Sequence, residues 1–188
     1  MNLKKKSNQT NRRLSTNSRM YQMNAAIRRN MKSIIRLFET GKFEKIKADP
    51  STKVPTKLSD IPLVEKAEQW GVTITVLKRK KRMGHYDWKK RSIKLGILCP
   101  KIYLHELAHA AYYRLRGTFT HTQLQWQEVM AELCAATLYR MFVIKHDENL
   151  SRSYWFIYLN AILLNVSVEE ACREVSDEAI RIIKYILQ

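Results

Sequence analysis

The run "IYLHELAHAAYY", Ile102 to Tyr113, constrains this chain more than any other stretch. Apolar residues recur in it at helical spacing, and His105 and His109 stand four apart. Residues four apart on a helix lie one turn above each other, so both imidazoles point the same way and can grip one ion through their ring nitrogens. Glu106 lies beside them, where a carboxylate can take a proton from water and pass it to a leaving amine. Leu104, Leu107, Ala108, Ala111 and Leu115 are expected on the opposite face, building core.

A tetrahedral ion that keeps one position for water needs a third protein ligand. In "QEVMAELCAA", Gln127 to Ala136, Glu128 and Glu132 are again four apart and share one helix face. The small Ala131, Ala135 and Ala136 beside them let this helix approach Ala108 and Ala111 closely. Two carboxylates aimed at a helix junction are costly to bury without a cation or a hydrogen-bond partner, and zinc with its surroundings supplies both. Glu128 and Glu132 are therefore both candidates for the third ligand. Tyr86, Tyr112, Tyr113 and His121 are candidates for a donor to a developing oxyanion.

The 188 residues suffice for one domain with a core, and an apolar content of 45% excludes disorder over most of the length. The charge is polarised. Residues 1–101 carry 26 Lys+Arg against 7 Asp+Glu, whereas residues 102–188 carry 8 against 10. Within the basic half, "KRKKR" (Lys78, Arg79, Lys80, Lys81, Arg82) and "KKR" (Lys89, Lys90, Arg91) are candidates for contact with nucleic-acid phosphates. Acidic protein partners account for the same charge equally well. The nearby aromatics are Tyr86 and Trp88, so phosphate contact is favoured over base stacking.

"MNLKKKSNQTNRRLSTNS" has a positive start but no apolar stretch after it, so no secretory signal is expected. The longest apolar stretch, Tyr154 to Val166, is thirteen residues with two asparagines, short of the roughly 20 that cross a bilayer. A cytoplasmic protein without membrane contact is expected. Cys99, Cys134 and Cys172 are odd in number and lie in no paired spacing, which reads as three reduced thiols.

Three regions follow from composition and period. Residues 1–18 read as an unfolded basic arm. Residues 19–57 read as a basic amphipathic helix with Met23, Ile27, Met31, Ile34, Ile35 and Phe38 on one side, stopped at Gly41, and then a linker holding Pro50 and Pro55. Residues 58–188 read as the globular body that carries the candidate site. In it "SDIPLVEKAEQWG" predicts a short helix, "VTITVL" a strand, and "GHYDWKKRSIKLG" two short strands around a Lys/Arg turn. Helices are predicted from Pro100 to Arg116, from about Thr122 to His146, from about Ser151 to Asn165, and from the Ser167/Glu170 capping pair to Leu187. The fold class is α+β, with a small twisted antiparallel or mixed sheet and four to five helices behind the basic arm and helix.

"YLHELAHA", then "EVMAELCAA", then "SYWFIYLNAILLN" and a final amphipathic helix ending "IIKYIL" resemble the zincin-like metallopeptidase domain of ArdC-type antirestriction proteins, over about Glu68 to Leu187. "GHYDWKKRSIKLG" resembles that domain's hairpin before the active helix. The resemblance implies a zincin-like fold, a zinc ion, hydrolysis of a peptide bond in a protein substrate, His105 and His109 as ligands, and Glu106 as base. In zincins of the glutamate class the third ligand comes from the helix after HExxH, and an acid one turn later orients a ligand histidine. On that pattern Glu128 is the ligand and Glu132 orients. SprT-like proteases use a histidine after HExxH instead, which keeps His121 as an alternative. The ImmA/IrrE group of cytoplasmic metallopeptidases is the nearest other resemblance, and either carries a link to phage or mobile elements. The competing functional class is a nucleic-acid-binding or antirestriction protein that uses the zincin fold as a scaffold.

Overall fold

The computed structural model describes residues 3–40, 55–77, 83–117, 124–142 and 148–188. His121, the run Lys78 to Arg82 and most of the expected linker lie outside them. Within the described residues the order is α1 (Leu3–Thr40), a 3-10 turn (Leu58–Asp60), α2 (Val64–Gln69), β1 (Thr73–Val76), β2 (Gly84–Asp87), β3 (Ser92–Leu95), α3 (Pro100–Arg116), α4 (Leu124–Phe142), α5 (Glu148–Leu164) and α6 (Val168–Leu187). The class is α+β, as the sequence predicts.

The sheet is mixed, in the order β1-β3-β2. Its central strand β3 runs parallel to β1 and antiparallel to β2. Ile93 and Leu95 of β3 are wholly buried, and Tyr86 of β2 points inward with them. Trp88 to Arg91 form the turn between β2 and β3, where Asp87 Oδ1 accepts the Lys90 N–H at 3.1 Å.

Pro100 stands at the first position of α3, where its missing N–H is no loss, and Gly117 ends the helix in the left-handed region at φ 71°. The Gly117 N–H donates to Tyr113 O at 2.8 Å, a closure that a side chain would strain. α4 is buried nearly all round from Gln127 to Tyr139 and touches α1, α3, α5 and α6. It is the central post of the molecule. α6 covers it with a stripe that includes Ala171, Val175, Ala179, Ile183 and Ile186, and starts where the Ser167 hydroxyl accepts the Glu170 N–H at 3.1 Å. α1 adds Ile27, Met31, Ile34 and Phe38, all buried and spaced four, three and four apart. α5 buries Ile157 and Ala161 and turns Trp155, Leu159, Ile162 and Leu163 outward. Among the described residues no helix is long and apolar enough to cross a membrane.

Three expectations need correction. α1 begins at Leu3, inside the segment read as an unfolded arm. Residues 3–40 hold neither Gly nor Pro, and adding turns to a helix already anchored by Ile27 to Phe38 avoids the cost of a new nucleus. The short helix after Ser59 is split, with Leu63 left-handed at φ 63° behind Pro62 and α2 starting only at Val64. Leu115, placed on the core face by its spacing, is 41% exposed, because the last turn of α3 meets α6 through the long side chains of Arg114, on Tyr185, and Arg116, on Glu178, rather than through Leu115.

Candidate metal centre

Wholly buried alanines line both helices that build the site, Ala108 and Ala111 on α3 and Ala131 and Ala135 on α4. With methyl groups in place of larger side chains the axes can approach closely, and carboxylates on α4 then reach imidazoles on α3. His105 Nε2 lies 3.2 Å from His109 Nε2 and 3.2 Å from Glu128 Oε2, and His109 Nε2 lies 3.5 Å from Glu128 Oε1. An ion about 2.0–2.2 Å from each donor in a tetrahedral arrangement would hold neighbouring donors roughly 3.3–3.6 Å apart, and the two Nε2 atoms, with Glu128 turning one oxygen to each, come close to that. Among the described residues His105, His109 and Glu128 form a group that could hold a metal ion.

The other nitrogen of His105 separates the two acids. His105 Nδ1 lies 3.0 Å from Glu132 Oε2, and Lys101 Nζ lies 2.7 Å from Glu132 Oε1. A proton on Nδ1 shared with Glu132 leaves the Nε2 lone pair directed at the same point as His109 and Glu128. The two glutamates that spacing could not distinguish thus take different places, Glu128 against both ring Nε2 atoms and Glu132 behind the first ring.

The electrostatics ask for a cation. Burial disfavours the His105 imidazolium, but Glu128 and Glu132 at its two nitrogens outweigh that and raise its pKa to about 10. Burial also works against both carboxylates. His105 and His109 nevertheless hold Glu128 well below the usual range, and His105 with Lys101 holds Glu132 at about 2. Glu106 behaves differently: its burial raises its pKa, and His105 and His109 only oppose the rise. Three glutamates therefore converge on Lys101 and a His105 imidazolium, and a metal ion bound there would take the place of the His105 Nε2 proton.

Strand β2 closes one side. A Cβ on Gly84 would stand 2.5 Å from Glu106 Oε1 and 2.6 Å from Ile102 Cγ2, so Gly84 is the residue that lets the strand lie against the Glu106 carboxylate. His85 is near enough to act on the Glu106 charge. From the other side α5 sets Phe156 edge-on to His105, with ring centroids 5.5 Å apart.

The structure brings His105, Glu106, His109, Glu128 and Glu132 together and leaves the remaining expectations elsewhere. Lys89, Lys90 and Arg91 occupy the β2–β3 turn. Tyr112 is buried in the core, while Tyr86 and Tyr113 line a separate cleft. Sequence reasoning missed Lys101, Gly84 and Phe156. Lys101 carried a readable signal, since it stands four residues before His105 and so on the same face; Gly84 and Phe156 depend on tertiary contacts alone. The chain matches no model of a known protein family, no curated protein and no solved structure.

Proposed function

We propose that this chain is a zinc-dependent peptidase that hydrolyses a peptide bond in a protein substrate, and that it belongs with the ArdC-type peptidase domains its sequence resembles. One observation carries the reading: two imidazole nitrogens and a carboxylate converge at 3.2–3.5 Å, with Glu106 next to them on the same helix. Two histidines and a carboxylate are a ligand set of catalytic zinc, which keeps its remaining position for water. Zinc, when bound, lowers the pKa of water and polarises a carbonyl.

The chain's own residues supply the rest. His105, His109 and Glu128 hold the ion, and Glu132, anchored by Lys101, keeps the His105 ring turned toward it. Glu106 accepts the proton of the attacking water and delivers it to the departing amine. The Gly96 N–H donates to Met83 O at 2.9 Å, which makes Met83 and Gly96 a hydrogen-bonded pair of the β2–β3 ladder. By alternation the N–H and C=O of Gly84 and Tyr86 face the open edge of β2. An extended peptide adding to that edge passes Gly84, where Glu106 lies.

Glu106→Gln separates binding from chemistry. The variant is expected to retain zinc at the wild-type level and to lose cleavage of any protein that the wild type cuts. Full activity in that variant excludes the mechanism.

A further inference from the structure

A second cleft, of about 550 Å³, opens between the last turn of α3 and the end of the sheet where β1 and β3 begin. Tyr113 and Arg114 are four and five residues beyond His109, roughly 6–8 Å along the helix, so this cleft lies one turn beyond the candidate metal centre and shares none of its side chains. Its volume lies inside the range of about 300–1,000 Å³ typical of small-molecule sites.

Val72 and Tyr86 form the floor, and the rings of Trp88 and Tyr113 stand against each other at 5.4 Å between centroids, with Trp88 43% exposed. The remaining walls are cationic: Lys89, Arg91 and Arg114. Arg91 Nη2 and Arg114 Nη1 both donate to the Trp70 carbonyl, at 3.0 and 3.2 Å. Arg114 Nε also donates to the Tyr185 hydroxyl at 3.2 Å, its guanidinium lies 5.6 Å from the Trp70 ring centroid, and Trp70 in turn stacks on Tyr185. Lys89 Nζ stands 5.3 Å from the centroid of Trp88.

These bonds hold two guanidiniums in place through a neutral acceptor, and the nearby Asp87 carboxylate is turned to the Lys90 N–H. No carboxylate lines the cleft, and among the described residues none of the three cations is ion-paired. Like charges held together are unfavourable until an anion sits among them. An exposed indole beside that anion position offers a face on which a flat ring can stack.

We propose that this cleft binds a nucleotide unit, its base stacked on Trp88 and its phosphate held by Lys89, Arg91 and Arg114. The unit comes either from a single strand of nucleic acid or from a free nucleotide. The 26 Lys+Arg against 7 Asp+Glu of residues 1–101 favour the strand, since further phosphates then find further cations. Sequence alone pointed away from stacking because Trp88 stood among few aromatics; the fold brings Tyr113 and Arg114 to it from α3, 25 and 26 residues on.

The full chain is titrated at low salt with a labelled twelve-nucleotide oligothymidylate, with thymidine monophosphate as competitor, and with the duplex of the same length. Single-strand binding is expected, weakened about tenfold by Trp88→Ala and largely restored by Trp88→Phe. Lys89→Gln is expected to lower the slope of log affinity against log salt by about one. Both side chains are exposed, so thermal unfolding of the variants should match wild type. Competition by the monophosphate at concentrations like those of the oligonucleotide assigns the cleft to a free nucleotide, and much weaker competition assigns it to a strand. Three results would overturn the proposal: no binding of either ligand, binding indifferent to both Trp88→Ala and Lys89→Gln, or preference for the duplex.

Discussion

His105 is the residue on which the site turns, because its two nitrogens face two different glutamates. Glu132→Gln keeps an acceptor for Nδ1 but removes the charge behind it, and zinc affinity is expected to fall by about 10–100-fold, measured by competition with a chromophoric chelator. At Gly84 a single methyl group is the probe. Gly84→Ala must displace both the Glu106 carboxylate and Ile102, so turnover should drop while zinc content stays at the wild-type level. The cysteines give a pH dependence. Burial raises the Cys172 thiol from 9.0 to about 12 and raises that of Cys134 further. Between about pH 9 and 12 the unfolded chain sheds thiol protons that the folded chain keeps. The folded state then binds more protons than the unfolded one, and these two thiols make stability fall as pH rises through that window. Denaturant midpoints measured across the window in wild type and a Cys172→Ala variant should show a shallower decline in the variant.

At the scale of elements, the separation of α3 and α4 sets the site. Ala131 lies between Glu128 and Glu132 on α4 and is wholly buried. Ala131→Leu is expected to destabilise the fold by about 1–3 kcal/mol through overpacking, and to weaken zinc binding as well because it moves the carboxylates away from the imidazoles. Thermal unfolding and metal competition on the same preparation check both. Helix α6 supplies a control remote from the site: Ser167→Ala removes the acceptor for the Glu170 N–H and should cost about 1 kcal/mol with zinc affinity unchanged. Much of this arrangement was legible in the sequence. Pro100 and Gly117 bound α3 at its two ends, Ser167 caps α6, and Glu128 and Glu132 read as one face of one helix because punctuation and period are local properties. Which glutamate met which nitrogen was not legible from spacing, since that depends on how α4 is rotated against α3; only the resemblance to glutamate-class zincins put Glu128 at the ion and Glu132 behind His105. Leu63 and Leu115 also misled, one through a left-handed turn behind Pro62 and the other because periodicity says nothing about which side chains of a turn meet the neighbouring helix.

The sequence is divided electrostatically, and the fold draws on both halves at each site: Lys101 anchors Glu132 at the candidate metal centre, and Arg114 joins Lys89 and Arg91 at the second cleft. The glutamates of α3 and α4 frame the candidate metal centre, while cations from the β2–β3 turn and the end of α3 frame the second cleft. α1 ties the basic half to the body by burying Ile27, Met31, Ile34 and Phe38 against α4 and α6. The account stands first on the metal centre, and the most direct measurement of it is the zinc content of purified wild type and of Glu128→Ala, by elemental analysis after dialysis against buffer free of added metal. One zinc per chain in the wild type and almost none in the variant is the expected result; stoichiometric zinc in both, or in neither after reconstitution with zinc, would contradict it.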